Sequence, residues 1–327
     1  MKQIGAVLFL LVWCGRVWGV DWALWTELSA ESVRLYARGA FRAALSLSSR
    51  ALAEARLAGP GDGRLADSLD SIGLVYFQCG EYQAAERAYR EAVDVAKRLP
   101  DRQARLARAM DHLASLYYET GGRAAEVETL RREAVRITTA TYGVDSPEVG
   151  VLQSRLANSL MDRGKYKEAE VLLRRSLELS EEERNPGMAG DLYLSLAALQ
   201  YFKGKYADAL SLLDRAGRLF ERIGGADTPG HVLQLLAMGT VYLKMKRVAD
   251  ADEVLARAEG IAMRVFGPEH MRLAQVLDVR ALSLERLGKR GEAAMARERR
   301  RRIADAGATG IKAVNAGVHA SAIARRD

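Results

Sequence analysis

The sequence predicts an all-α protein, an α-solenoid of about seven stacked helical hairpins. Three features predict it: scarce proline, the even spacing of that proline, and a phrase that recurs. Only six of the 327 residues are proline, well under the roughly 5% of average composition, and proline is poorly tolerated inside helices. The six are Pro60, Pro100, Pro147, Pro186, Pro229 and Pro268, with gaps of 40, 47, 39, 43 and 39 residues. Aligned on these junctions, the chain repeats GAFRAALSLSSRAL (39–52), GEYQAAERAYREAV (80–93), GKYKEAEVLLRRSL (164–177) and GKYADALSLLDRAG (204–217). Weaker copies start at 122, 246 and 288, so successive starts lie 41, 42, 42, 40, 42 and 42 residues apart. A fixed period of this length is the signature of a repeat architecture.

The N-terminus places Lys2 before the apolar run IGAVLFLLVW (4–13), with Val17 and Gly19 where a small-residue cleavage site belongs. This is the pattern of a secretory signal peptide over residues 1–19, removed near Gly19 on export to the periplasm or the extracellular space. Arg16 and Asp21 end the run short of the about 20 apolar residues a membrane helix needs, which sets a retained anchor behind cleavage. Trp13 stands where a lipoprotein signal carries a small residue, which does the same for lipidation at Cys14. Cleavage removes Lys2 and Arg16 and takes the formal charge from +7 to +5. Cys79 is then the one cysteine, so the mature chain has no internal disulfide, and no later segment is long and apolar enough to span a membrane.

From 20 to 303 each unit reads as two helices. The first hairpin has Glu31 and Ser32 where internal ones have Ile72 and Gly73, which reads as a polar cap on the array. In the second, Leu69, Ile72, Gly73 and Tyr76 share one face of DSLDSIGLVYFQC (67–79), and Tyr82, Ala85, Tyr89 and Ala92 share one face of the phrase that follows. The glycine between them suits the left-handed conformation that ends a helix. Small residues recur five positions into the phrase, as Ala169, Ala209 and Ala251 in the fourth to sixth hairpins. They recur again seven positions before the turn, as Ala157, Ala197 and Gly239, so paired helices can approach closely. The seventh hairpin keeps Ala281 and Ala293 but carries Arg290, Arg297 and Arg300, a second polar cap. Residues 304–327, rich in glycine and small side chains without an apolar face, are predicted to form a flexible tail.

These residues resemble the tetratricopeptide repeat, and the period near 42 resembles the longer form of kinesin light chains; the usual period is about 34. The junctions YGVDSPEVG (142–150) and FGPEHMRLA (266–274) are similar to that family's loop, with Ser146 in place of its histidine and Met271 after His270 in place of its proline. The resemblance implies a right-handed solenoid whose first helices line a concave groove that receives a protein or peptide partner. Some members clamp a peptide's terminal carboxylate with asparagine and basic residues. Here Ser71, His112, Arg155 and Ser195 stand where the asparagine would fall, which argues against that mode.

On the groove side of the first helices, three positions before each turn, the sequence reads Tyr36, Phe77, Tyr118, Met161, Tyr201, Leu243 and finally Glu285. Six successive apolar or aromatic residues form a ladder. Along the same stripe lie Asp67, Asp70, Asp111 and Asp191, and Asp162 sits beside Met161. The expected site is therefore an aromatic groove with an acidic margin, suited to a peptide with apolar anchors and basic residues. The competing reading packs these aromatics into the inner layer of the array.

No catalytic chemistry is legible. The four histidines, His112, His231, His270 and His319, lie in separate segments without metal-ligand spacing. No nucleophile elbow, phosphate-binding glycine loop or dinucleotide fingerprint is present. The expectation is an exported, non-catalytic interaction scaffold without a cofactor, its partner a protein and not a nucleic acid. The alternative is a cytoplasmic regulatory module whose basic run Arg297, Arg299, Arg300, Arg301 and Arg302 touches nucleic acid or an anionic surface.

Overall fold

In the repeat, every first helix begins after a junction and every second helix after a tight turn, and the computed structural model shows why. It describes residues 21–180, 182–225 and 227–309; the predicted signal segment and the chain beyond 309 lie outside them. The described residues form fourteen helices and no strand, in two units that divide between Thr141 and Tyr142. The first unit holds α1 (Trp22–Ala37), α2 (Phe41–Leu57), α3 (Gly63–Gln78), α4 (Tyr82–Arg98), α5 (Gln103–Thr120) and α6 (Ala124–Tyr142). The second holds α7 (Pro147–Asp162), α8 (Tyr166–Leu179), α9 (Pro186–Phe202), α10 (Tyr206–Gly224), α11 (Pro229–Lys244), α12 (Val248–Phe266), α13 (Met271–Arg286) and α14 (Arg290–Thr309). The boundary expected at 303 falls inside α14, which continues to Thr309.

Six of the seven first helices start on side-chain caps; α5, with Arg102 at its N-cap, has none. Asp21, Asp62, Ser146, Asn185, Thr228 and His270 each accept a backbone N–H of the first turn, which satisfies a donor that a helix start leaves open. Pro147, Pro186 and Pro229 then occupy the first helical position, where a missing N–H costs nothing. Second helices have no such caps at Ala40, Glu81, Lys165, Lys205 or Arg247. Their starts are held by the turn itself. In the fifth hairpin, for example, Gly204 N–H donates to the Tyr201 carbonyl (2.9 Å) and Lys205 N–H to the Gln200 carbonyl (2.8 Å), with Gly204 at φ 74°.

Close approach at the small positions is observed. A Cβ on Gly73 would stand 2.6 Å from the Tyr89 ring, and one on Gly239 would stand 2.5 Å from Leu255. Ser32 occupies the position equivalent to Gly73. It is buried, its hydroxyl 2.6 Å from that of Ser48 and donating to the Ala44 carbonyl at 3.1 Å. The polar cap expected there is thus an internal hydrogen-bonded contact between α1 and α2.

Within the second unit, first helices pack on their own second helices and on neighbouring first helices. Consequently α9 and α11 are buried nearly all round, as a helix apolar on every side must be.

Candidate functional site

The predicted ladder divides between the two units. In the first, Tyr36, Phe77 and Tyr118 are half-buried, and the rings of Tyr36 and Phe77 are braced across their own turns. Tyr36 packs edge-on against Phe41 (5.5 Å between centroids) and Phe77 against Tyr82 (5.9 Å). The Tyr36 hydroxyl accepts a hydrogen bond from Gln78 Nε2 at 3.1 Å. The Arg131 guanidinium lies 4.8 Å from the centre of the Tyr118 ring, a cation–π distance. In the second unit the equivalent residues are core: Met161, Tyr201 and Leu243 are buried, and Tyr201 packs on Tyr206 at 5.7 Å. Glu285, which ends the ladder, is exposed and paired with Arg297.

The expected acidic margin is largely neutralised in the first unit. Asp67 accepts hydrogen bonds from Arg105 Nε (3.0 Å) and from Arg108. Asp70 is buried; it accepts from Arg108 Nε at 2.9 Å and stands 2.7 Å from His112 Nδ1. Asp111 is buried as well. His112 in turn lies 5.8 Å from the Tyr89 ring, and burial, with Asp70 adding to it, pushes the Tyr89 hydroxyl well above its ordinary value. The result is a strip of alternating charge along α3 and α5 instead of an acidic edge. His112, at one of the clamp positions, is committed to this strip.

Sequence reasoning missed Arg105 and Arg108. Their partners lie 38 residues away, and His112 lies 42 from Asp70, so near-repeat separation between opposite charges was the available signal. It also missed the aromatic corner on α1. There Trp22 and Trp25 stand at 85° to one another, the Arg64 guanidinium lies 3.7 Å from the centre of Trp22, and Trp25 Nε1 donates to the Ser68 hydroxyl at 2.8 Å.

In the second unit Asp162 is half-buried and Asp191 exposed. Asp191 keeps a path to solvent but is enclosed by enough protein that desolvation pushes its carboxyl up to about 6. The basic run of α14 is spoken for: Arg297 pairs with Glu285, Arg299 with Glu259, Arg300 with Asp278, and Arg301 and Arg302 with Glu298. Among the described residues no group of three or more His, Cys, Asp or Glu side chains could hold a metal ion, and no helix is long and apolar enough to cross a membrane.

The tetratricopeptide repeat family model matches residues 64–140 and 148–222. Over those residues, a little under half of the chain, the sequence carries tetratricopeptide repeats. Two relatives that resemble the chain carry the name of effector proteins. RxLR effector protein SFI4 of Phytophthora infestans (strain T30-4) is 23% identical over 210 residues, covering 62% of this chain and 60% of the relative. Secreted RxLR effector protein RXLR-C07 of Plasmopara halstedii is 24% identical over 209 residues, covering 62% and 63%. The chain thus spans about three fifths of the length of these relatives. Among solved structures, BtubC (BKLC) from P. vanneervenii shares the fold with a TM-score of 0.58 at 22% identity, covering 68% of this chain and 91% of that one. The fold is a repeat scaffold, consistent with protein–protein interaction.

Proposed function

We propose that this tetratricopeptide repeat protein is exported and holds a peptide or protein segment against the first helices of its N-terminal unit. The observation that carries the proposal is the half-buried set Tyr36, Phe77 and Tyr118. Each ring is partly sunk in the fold, so little side-chain entropy is lost when a partner covers the rest. The neighbouring Asp67, Asp70, Arg105, Arg108 and His112 strip carries both signs. A matching partner therefore presents apolar anchors flanked by both acidic and basic or neutral polar groups, instead of the purely basic flank that the aspartates suggested by themselves. Met161, Tyr201 and Leu243 are sealed in their own unit and act there as packing. Export is supported by the apolar run 4–13 behind Lys2 and by the name of a relative described as a secreted effector.

The test is affinity capture from the exported fraction with wild-type protein and with the Tyr36→Ser, Phe77→Ser and Tyr118→Ser variants, each followed by thermal melting. The expected outcome is folded variants that lose the captured partner. Variants that capture as well as wild type, or that lose capture only by unfolding, would remove the site.

A further inference from the structure

The turns that join first to second helices differ between the two units in a way the fold does not require. In the second unit the four six-residue turn segments 162–167, 202–207, 244–249 and 286–291 hold eleven Lys and Arg and one acid, Asp162. The equivalent segments of the first unit, 37–42, 78–83 and 120–125, hold three and one. Lysine is scarce elsewhere: of ten in the chain, seven sit in these four turns, in the pairs Lys165 and Lys167, Lys203 and Lys205, Lys244 and Lys246, and as Lys289. All eleven cations are exposed.

Four of these cations are placed against the stability of the fold. Lys246 sits at φ 59°, where the other turns of its unit have Gly164, Gly204 and Gly288 at 73°, 74° and 79°. It is the only residue other than glycine at positive φ among the described residues, in a conformation that is unfavourable for a side chain. Lys165, Lys205 and Arg247 occupy the N-cap positions of α8, α10 and α12 without a capping bond, at the end of the helix dipole that repels cations. Internal pairing accounts for only part of the charge. Lys203 reaches Glu170 (2.7 Å), Arg247 reaches Asp250 (2.8 Å) and Lys289 reaches Asp252 (3.6 Å), whereas Lys167, Lys205 and Lys246 make no ion pair among the described residues. Successive turns also meet: Arg286 donates to the Leu243 carbonyl at 3.1 Å, and Lys244, Lys246 and Arg286 surround one shallow recess with Leu243 and Val248.

We propose that this lysine-bearing turn edge of the C-terminal unit docks on an anionic phospholipid surface. Lysine is a compact, hydrated point charge suited to a diffuse anionic field, and arginine is the residue that reads phosphate or carboxylate as a bidentate fork. This chain has 39 arginines to draw on and uses lysine at the edge. The nearby aromatics are engaged with one another, Tyr166 stacked on Phe202 at 5.9 Å and 13°, which leaves no open platform for stacking the bases of a single strand. Leu287, an exposed leucine in the last turn, adds an apolar contact at the level of the headgroups.

The experiment is co-sedimentation of the full chain with phosphatidylcholine vesicles, with and without a phosphatidylglycerol fraction, across a salt series. The variant Lys167→Gln/Lys205→Gln/Lys246→Gly is compared with wild type. Wild type is expected to bind only the phosphatidylglycerol vesicles and to release with salt. The variant is expected to bind roughly fivefold more weakly per lysine removed, about 100-fold in all, while melting no lower than wild type because glycine relieves the strained turn. Arg38→Gln/Arg42→Gln, in turns of the other unit, is expected to bind as wild type. Equal binding to neutral vesicles, undiminished binding by the lysine variant, or capture of poly-glutamate or single-stranded RNA without vesicle binding would overturn the proposal.

Discussion

Gly73 is a residue at which one added carbon has a direct consequence. Its missing Cβ is replaced by the ring of Tyr89, which is itself fully buried and cannot swing away. Gly73→Ala is expected to destabilise the protein by about 1 to 3 kcal/mol through overpacking, measured by chemical denaturation. Lys246 has the opposite sign: Lys246→Gly should stabilise by about 1 kcal/mol, since glycine removes the left-handed strain. The need for small residues at 73 and 239 was readable from the repeat register. Gly190 and Gly230, whose Cβ atoms would stand 2.6 and 2.5 Å from the Phe220 ring, were not readable, because neither sits at the recurring position seven before a turn.

At the scale of the helix, side-chain N-caps hold the starts of six first helices, and one of them is a histidine. His270 Nδ1 accepts the Arg272 N–H at 3.0 Å, and the ring stacks on Phe266 at 4.7 Å. Burial, with the nearby Arg272 charge adding to it, holds its pKa below 6.5; His231 is lowered too, first by burial. The folded state therefore holds fewer protons than the unfolded chain just below the ordinary value. Stability from these histidines is complete above about 6.5 and declines as pH falls through that value toward the lower folded pKa. Melting between pH 7.5 and 5 should show this decline, and His270→Asn should make it shallower while keeping the cap. His270→Ala should cost about 1 kcal/mol at neutral pH. Helix identity was legible from proline and glycine positions. The end of α14 was not, because alanine and small residues after 303 carry no stop signal and good helix formers extend a helix they follow.

For the whole molecule, the repeat period and the pairing of helices followed from the sequence, since every unit restates the same small residues and turns. The ladder was legible as a row and not as a site. Position three before the turn is half-buried at Tyr36, Phe77 and Tyr118 and buried at Met161, Tyr201 and Leu243. Which of these occurs depends on how neighbouring first helices fill the inner layer, as α9 and α11 do. The acidic margin was misjudged for a related reason: Asp67 and Asp70 meet Arg105, Arg108 and His112 one repeat away. Sequencing the exported form should find a mature N-terminus near Val20, and an intact Met1 in the cytoplasm would remove the export half of the proposal. The most direct measurement of the central claim is amide hydrogen exchange on the protein with and without its captured partner. Added protection concentrated in α1, α3 and α5 is the predicted result; protection confined to second helices or to the C-terminal unit would contradict a binding face on the first helices of the N-terminal unit.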